Sequence, residues 1–437
     1  MQSIGLSRYF FGRTRALSPI MILALSLILA SSVSAQEPTH HPAESPTSLH
    51  DLVREAEQDN PQIAASVRAW QASRNIGQQA SALPETQLSV QQFNVGSPRP
   101  FAGYSDSDFA YVGFGVSQDL PYPGKRQLRG RMAEHGADSM ESESDSIRKT
   151  VVGNLKILYF RLAYIQQTLG TLQKNAELLK QIQQSTETRY RVGQGNQQDV
   201  LKAQLQNTKI LQELAHHHQE GEILEAQIKQ LVGRPQESPD VVAETLAMRT
   251  LPYTAAELLQ KAREQNPDVK SKKALAQQQE TQVELAHKNL RPDFNVQYNY
   301  EHTNRDTRDY YMATFGIRLP NRGRQKAELA EAQQNRERAQ RELDSEEQRV
   351  LSEVQQQFIR VKTSEEQLKI YKEGLVPQSE ASFQSALAAY QSNRQDFQTL
   401  LSSFLDVLNL DLEYRNQLVE HESALAELER LTGVDVP

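Results

Sequence analysis

No cysteine occurs among the 437 residues of the chain. Disulfides, thiolate metal sites, cysteine nucleophiles and an acylated N-terminal cysteine are therefore excluded. A basic excess is missing too: 48 Lys and Arg stand against 55 Asp and Glu, a net charge of −7. Binding driven by phosphate neutralisation needs cations to release counterions, so nucleic acid is not an expected partner. Apolar residues are scarce at 38%, and uncharged polar residues fill the deficit. Long helices with a narrow apolar seam fit that balance, and a bundle of membrane-spanning helices does not. After residue 30 no apolar run approaches the ~20 residues that a spanning helix needs. If the mature chain crosses a membrane, it must do so as strands.

Residues 1–35 carry Arg8, Arg13 and Arg15 and no acid, then an apolar run Ile20–Ala30, then Ser31-Ser32-Val33-Ser34-Ala35. These are the parts of a secretory signal peptide, with cleavage expected after Ala35. A short membrane anchor is the weaker alternative, because the apolar run falls short of the ~20 residues needed to span. Export without cysteine suits a periplasmic or outer-membrane protein of a Gram-negative cell. Residues 36–48 read as a disordered lead.

Proline is absent from 124–234, 321–376 and 378–436. Since proline costs a helix interior ~3 kcal/mol, such gaps permit very long helices. Val151, Leu155, Leu158, Leu162, Ile165, Leu169, Leu172, Ala176 and Leu179 follow 4-3 spacing, and Leu343, Val350, Val354, Val361, Leu368, Tyr371 and Leu375 share one heptad register. Such seams make coiled coils. A helix from Lys125 to Tyr190 would be ~100 Å long.

The chain is written twice. Leu52–Pro61 resembles Leu258–Pro267, with the Asn-Pro pairs 206 apart. Strand-like stretches and a proline with basic residues follow in each half (Pro121–Arg126 and Pro320–Arg324), then a long helical region broken at Tyr190 and at Tyr390, 200 apart. Repeats of residues 49–250 and 251–437 are expected, each reading helix, strand, strand, long helical hairpin.

Strands are expected over 86–95, 109–119, 293–301 and 310–319. In the third, Phe294, Val296, Tyr298 and Tyr300 alternate with Asn295, Gln297, Asn299 and Glu301. Segments of ~10 residues with period two and aromatic ends match outer-membrane barrel strands. A soluble sheet with one wet face would alternate likewise. Four strands cannot close a barrel, and an open edge in lipid leaves backbone groups unpaired at several kcal/mol each, so copies must share one barrel. Three chains would bring 12 strands, an even number inside the known range. Polar stretches at Gly96–Asp108 and His302–Asp309 read as loops.

These features together resemble the TolC-type outer-membrane efflux protein family, over Leu49–Gly433. The resemblance rests on the duplicated Asn-Pro start, the four strands and the turn stretches Arg189–Asn196 and Ala389–Asp396. The stretch Gln118–Lys125 is similar to that of heavy-metal-efflux members. The resemblance implies a mainly α fold with a small β part. In it, a homotrimer builds a 12-stranded outer-membrane β-barrel in lipid, continued by a long periplasmic α-helical barrel. It further implies a periplasmic adaptor at the tips and an inner-membrane pump, often of the resistance–nodulation–division type, delivering metal cations or small toxic compounds. Because the pump supplies the energy, no cofactor is expected, and no phosphate-loop pattern occurs. A type I protein-secretion exit shares the fold, and a soluble periplasmic coiled-coil scaffold is the alternative of another class.

The adaptor would meet Arg189, Tyr190, Arg191, Val192, Gly193 and Gly195 at the first tip, and Tyr390, Asn393 and Arg394 at the second. Asn393 takes the turn position that Gly193 fills. The family often closes its periplasmic end with aspartates nine and twelve residues after the second tip tyrosine. Here Thr399 and Ser402 stand there, so Asp199 and Asp396 are the acids left to narrow the bore. His216-His217-His218 splay around a helix and cannot converge on one metal. No catalytic constellation is present, so an enzyme is not expected.

Overall fold

Each half begins at its asparagine for a geometric reason. In the computed structural model, which describes residues 46–94, 99, 110–303 and 309–435, Asn60 separates α1 (Leu49–Asp59) from α2 (Pro61–Ser81). The Asn60 Oδ1 accepts from the backbone N–H groups of Gln62 and Ile63 at 2.8 and 3.1 Å. Pro61 takes the first helical position, where a missing N–H costs nothing. The Asn60 Nδ2 donates to the Leu231 carbonyl at 2.8 Å, near the end of α4 (Gln197–Val232). Asn266, between α5 (Ala255–Gln265) and α6 (Pro267–Asn289), repeats the pattern. It accepts from Asp268 and Val269 and donates to the Leu431 carbonyl at 3.0 Å, near the end of α9 (Phe397–Thr432). One side chain thus satisfies the start of one helix and the end of another. Gly233 and Gly433 then close α4 and α9 at positive φ, 77° and 69°, which glycine adopts without penalty.

The strands are β1 (Gln87–Phe93), β2 (Tyr111–Leu120), β3 (Asp293–Thr303) and β4 (Tyr310–Arg318). They form one antiparallel sheet in the order β1-β2-β3-β4. The third strand runs past the expected residue 301, because His302 and Thr303 pair with Val112 and Tyr111. The loop expected over His302–Asp309 therefore begins later, after Thr303. Most of that loop, the loop after β1 and the expected signal segment lie outside the described residues. The end of the expected disordered lead is docked: the Thr47 N–H donates to the Val242 carbonyl at 2.7 Å, and its own carbonyl accepts from the Tyr159 hydroxyl at 2.8 Å.

Two long helices carry the chain away from the sheet. The first, α3 (Lys125–Arg191), is unbroken over 67 residues, ~100 Å at 1.5 Å per residue. Its counterpart has three parts: α7 (Arg322–Ile370), a π turn (Tyr371–Leu375) and α8 (Val376–Gln391). Buried Val151, Leu155, Leu162 and Ile165 match buried Val350, Val354, Val361 and Ser364 at an offset of 199. Beyond the π turn, Leu179 and Thr186 match Ser379 and Ala386 at an offset of 200. The π turn holds the one extra residue. Pro377 follows it; with no N–H and a ring that crowds the carbonyl four residues back, proline favours a locally widened turn.

Apolar seams join the helices in three clusters. Leu155, Leu162 and Ile228 unite α3 with α4, and Val354, Leu258 and Leu425 unite α7 with α5 and α9. Leu179, Ile210, Phe383 and Phe404 unite the far ends of both hairpins. Each such side chain contributes roughly 1.5–3 kcal/mol when removed from water. Among the described residues no helix is long and apolar enough to cross a membrane.

Candidate functional site: the sheet wall and the helical tips

The ladder registers contain no slip, so side-chain parity holds across the whole sheet. One face carries Leu88 and Val90, then Phe114 and Val116, then Phe294, Val296, Tyr298 and Tyr300, then Tyr311, Phe315 and Ile317. Nothing among the described residues covers it: Leu88 is 80% exposed, Val90 83% and Phe315 64%. Rings cluster at its two ends. Phe294 lies 5.7 Å from Phe315 near the helices, and Tyr300 lies 5.2 Å from Phe114 and 5.4 Å from Tyr311 at the far end. Six residues of strand separate the two belts, ~20 Å. An apolar band between aromatic girdles is what a lipid-facing barrel wall presents.

The other face is polar and crowded. Asn299 is buried, and a Cβ on Gly115 would collide with its Oδ1. Asn295 donates to Ser117 Oγ at 3.0 Å and to Asp119 Oδ1 at 2.9 Å. Splayed side chains on the apolar face and crowded ones on the polar face mean that the sheet curls toward its polar side. Neither β1 nor β4 has a partner on its outer edge among the described residues. Where the wall meets the helices, Lys125 Nζ, almost fully buried, donates to Asp293 at 2.8 Å and to the Arg291 carbonyl at 3.1 Å.

At the opposite end the two hairpin turns share one design. The Gly193 and Gln194 N–H groups donate to the Tyr190 and Arg189 carbonyls at 3.0 and 2.8 Å; those of Asn393 and Arg394 donate to the Tyr390 and Ala389 carbonyls at 3.1 and 2.8 Å. The second residue after each helix is left-handed, Gly193 at φ 73° and Asn393 at φ 56°, as this double-bonded cap requires. Asn393 does occupy the position of Gly193.

The tips also bind each other. Arg189 donates to the Tyr390 carbonyl at 2.7 Å and the Gln391 carbonyl at 3.1 Å, and its guanidinium lies 4.3 Å from the centre of the Tyr390 ring. Tyr390, expected at the exposed tip, is instead buried: its hydroxyl meets Thr186 Oγ1 at 3.1 Å and its ring packs edge-on against Phe397. Tyr190, Arg191, Val192, Asn393 and Arg394 remain exposed; Gly195 is half-buried under Arg189 and Tyr190.

Sequence comparison supplies the family. The profile of the outer membrane efflux protein family matches residues 52–234 and 258–433, most of the chain and both repeats. The chain belongs to the outer membrane efflux protein family. Members are channel proteins of the outer membrane with a periplasmic helical extension, not enzymes. None of the curated proteins matches the chain in sequence. Solved structures match in fold. The outer-membrane channel OprN superposes with a TM-score of 0.75 at 17% identity, over 88% of this chain and 89% of that one. VceC from Vibrio cholerae gives 0.74 at 18% identity, over 89% and 97%. CusC gives 0.77 at 15% identity, over 89% and 93%.

Within this efflux-protein frame the acids near the tips sit as follows. Asp396 is the N-cap of α9: it accepts from the Thr399 hydroxyl at 2.6 Å and the Thr399 N–H at 2.9 Å. These bonds hold its carboxyl below the usual aspartate range. Ser402 donates to the Thr399 carbonyl at 3.4 Å. Asp396, Thr399 and Ser402 thus form a helix-start motif, and Asp396 has a structural task besides any place in the bore. Asp199 lies half-buried in the first turn of α4. The histidine run gathers no ligand set: His217 faces Glu220 at 3.5 Å and Tyr164 edge-on, and no group of three metal-binding side chains occurs among the described residues.

A buried charge network escaped the sequence reading. Arg249, in the segment between α4 and α5, bonds Glu422 at 2.6 Å and Glu429 at 3.0 Å, and Glu429 also meets Lys156 at 2.6 Å. His421 is fully buried between Ser364 Oγ at 2.9 Å and the Arg249 carbonyl at 2.8 Å. Only the 200-residue offset to buried Lys229 could have pointed to Glu429.

Proposed function

We propose that three copies of this outer membrane efflux protein close one 12-stranded barrel in lipid and continue it as a helical duct through which substrates leave passively. The observation that carries this reading is the four-stranded sheet, with its exposed apolar face and two edges that have no partner among the described residues. A lone sheet in lipid would leave an edge row of N–H and C=O groups unsatisfied, at several kcal/mol each. Joining β4 of one copy to β1 of the next removes that cost. A soluble scaffold would have no use for an apolar face with aromatic ends.

A passive duct needs a pump behind it to drive export. We assign that role to an inner-membrane pump, of the resistance–nodulation–division type, acting through a periplasmic adaptor. The adaptor docks on Tyr190, Arg191, Val192 and Gly193 of the first tip and on Asn393 and Arg394 of the second. Arg189 and Tyr390 shape the surface from beneath. Metal cations or small toxic compounds are the cargo, the first favoured by the Gln118–Lys125 stretch. Residues 1–35 serve export, and residues 49–250 and 251–437 form the two repeats.

Planar bilayers test the channel. Detergent-purified protein is expected to have the mass of a trimer and to open conducting pores. Recovery of the mature chain as a monomer from osmotic-shock fluid would sink the reading.

A further inference from the structure

The polar face of the sheet carries four charged residues in its described strands, Asp119, Asp293, Glu301 and Arg318. Two of the acids are neutralised in place. Asp119 faces Arg318 at 3.3 Å, and Asp293 holds Lys125 at 2.8 Å. Arg318 is thereby used as well. Glu301 alone has no ion-pair partner among the described residues. It stands toward the far end of β3, between Gly113 of β2 and Tyr310 of β4.

Gly113 is what leaves the carboxylate room. A Cβ there would lie 3.2 Å from Glu301 Cγ and would collide with the Tyr300 carbonyl. The side chain can then lie over the strand toward the inside of the curl and not be pushed toward the rim.

We infer that Glu301, without an ion-pair partner among the described residues and repeated by the symmetry of the assembly, forms a ring of carboxylates that makes the outer part of the bore prefer cations; this rests on the trimeric reading above. The ring acts by field. Its reach is the Debye length, ~30 Å at about 0.01 M salt and ~3 Å at about 1 M. A wide bore is therefore cation-selective when dilute and indifferent when concentrated. Cations leaving the duct meet an attractive exit, and anions meet a barrier. The ligand class is any mobile cation, because a lone carboxylate per copy offers charge and no coordination geometry.

Reversal potentials across planar bilayers under a potassium chloride gradient test the idea. In dilute salt, Glu301→Gln is expected to lower the cation-to-anion permeability ratio roughly twentyfold, since three charges acting over ~10 Å of water favour a cation and disfavour an anion by a factor of about 4–5 each. Glu301→Lys should move the reversal potential toward anion preference, and near 1 M salt all three proteins should agree. A reversal potential unchanged by Glu301→Gln in dilute salt would overturn the inference while leaving the channel standing. Wild-type protein that opens no pores would overturn the trimeric channel itself, and this inference with it. A second measurement needs no variant: hexaamminecobalt should suppress the wild-type preference at lower concentration from the barrel side than from the tip side. Equal potency from both sides would count against Glu301.

Discussion

The two repeats share a plan and differ where each is tied to the rest of the chain. Near the end of the first hairpin, Lys229 is buried and donates to the Gln236 and Ser238 carbonyls at 3.3 and 2.8 Å. The second hairpin has Glu429 at the same place, 200 residues on, binding Arg249 and Lys156. Both residues clamp the segment that links α4 to α5, with opposite charge. Duplication copied the position, and the linker's two ends set the sign: carbonyls near 236–238 need a donor, and the Arg249 guanidinium needs an acceptor. Equivalence of place is not equivalence of chemistry.

The helices differ in a second respect. The unbroken α3 has no spare residue, whereas the π turn lets the α7–α8 path absorb Pro377. Introducing proline at the matching place in the first repeat, Glu177→Pro, should cost ~3 kcal/mol or more, because it removes a helix bond with no widened turn to receive the ring. The reverse change, Pro377→Ala, should alter stability by less than ~1 kcal/mol. Thermal unfolding followed by far-ultraviolet circular dichroism would measure both. Equal costs would mean that the π turn is not what accommodates the proline.

Glu422 and Glu222, also 200 apart, sharpen the contrast between the linker clamps. Glu422 is 2% exposed and bonds Arg249, while Glu222 is exposed. Glu422→Ala should destabilise by roughly 3 kcal/mol, the low end for a broken buried pair because Glu429 still holds Arg249. Glu222→Ala should change little, within ~0.5 kcal/mol. Similar unfolding midpoints for the two variants would dissolve the claimed asymmetry.

At the tips the expected differences are smaller. Gly193→Ala places a side chain at positive φ and should cost ~1 kcal/mol. Asn393→Gly should be close to neutral, since asparagine already tolerates that conformation. Amide hydrogen exchange in the turns would report both, and a neutral Gly193→Ala would show that the first turn can relax. The smallest effect concerns pH. Asp396 caps α9 through Thr399, but Asn196, its counterpart at α4, makes no side-chain cap bond. The Asp396 carboxyl is held below its ordinary value, so its contribution is complete above the unfolded pKa of about 3.9 and is lost as pH falls through the lower folded value. Acidification below pH ~4 should therefore loosen the start of α9 before that of α4. Simultaneous loosening would remove the asymmetry.

Much of this was legible in the chain itself, because it depends on local rules. Alternation in 293–301 follows from the two-residue period of a strand, so its apolar and polar faces could be named from the order of residues. Proline-free stretches with 4-3 spacing forced long helices. Asn-Pro marked a helix start, and the left-handed positions 193 and 393 followed from which residues tolerate positive φ. The burial of Tyr390 was not legible, since it depends on Arg189 crossing from the other hairpin. Asp396 looked like a free acid because its partner Thr399 becomes a capping partner only once the helix start is placed.

What the amino-acid order determined is therefore periodic and near-neighbour: faces, lengths, caps and the duplication. Tertiary structure alone decided which charges are satisfied. Lys125 with Asp293, Arg249 with Glu422 and Glu429, and Asp119 with Arg318 join residues more than 160 positions apart. Whether an ion is paired depends on contacts of a few ångströms, and chain separation carries no information about those. Glu301 is the complement of that rule: that it has no ion-pair partner among the described residues became visible only when Asp119, Asp293 and Arg318 on the same face had found theirs.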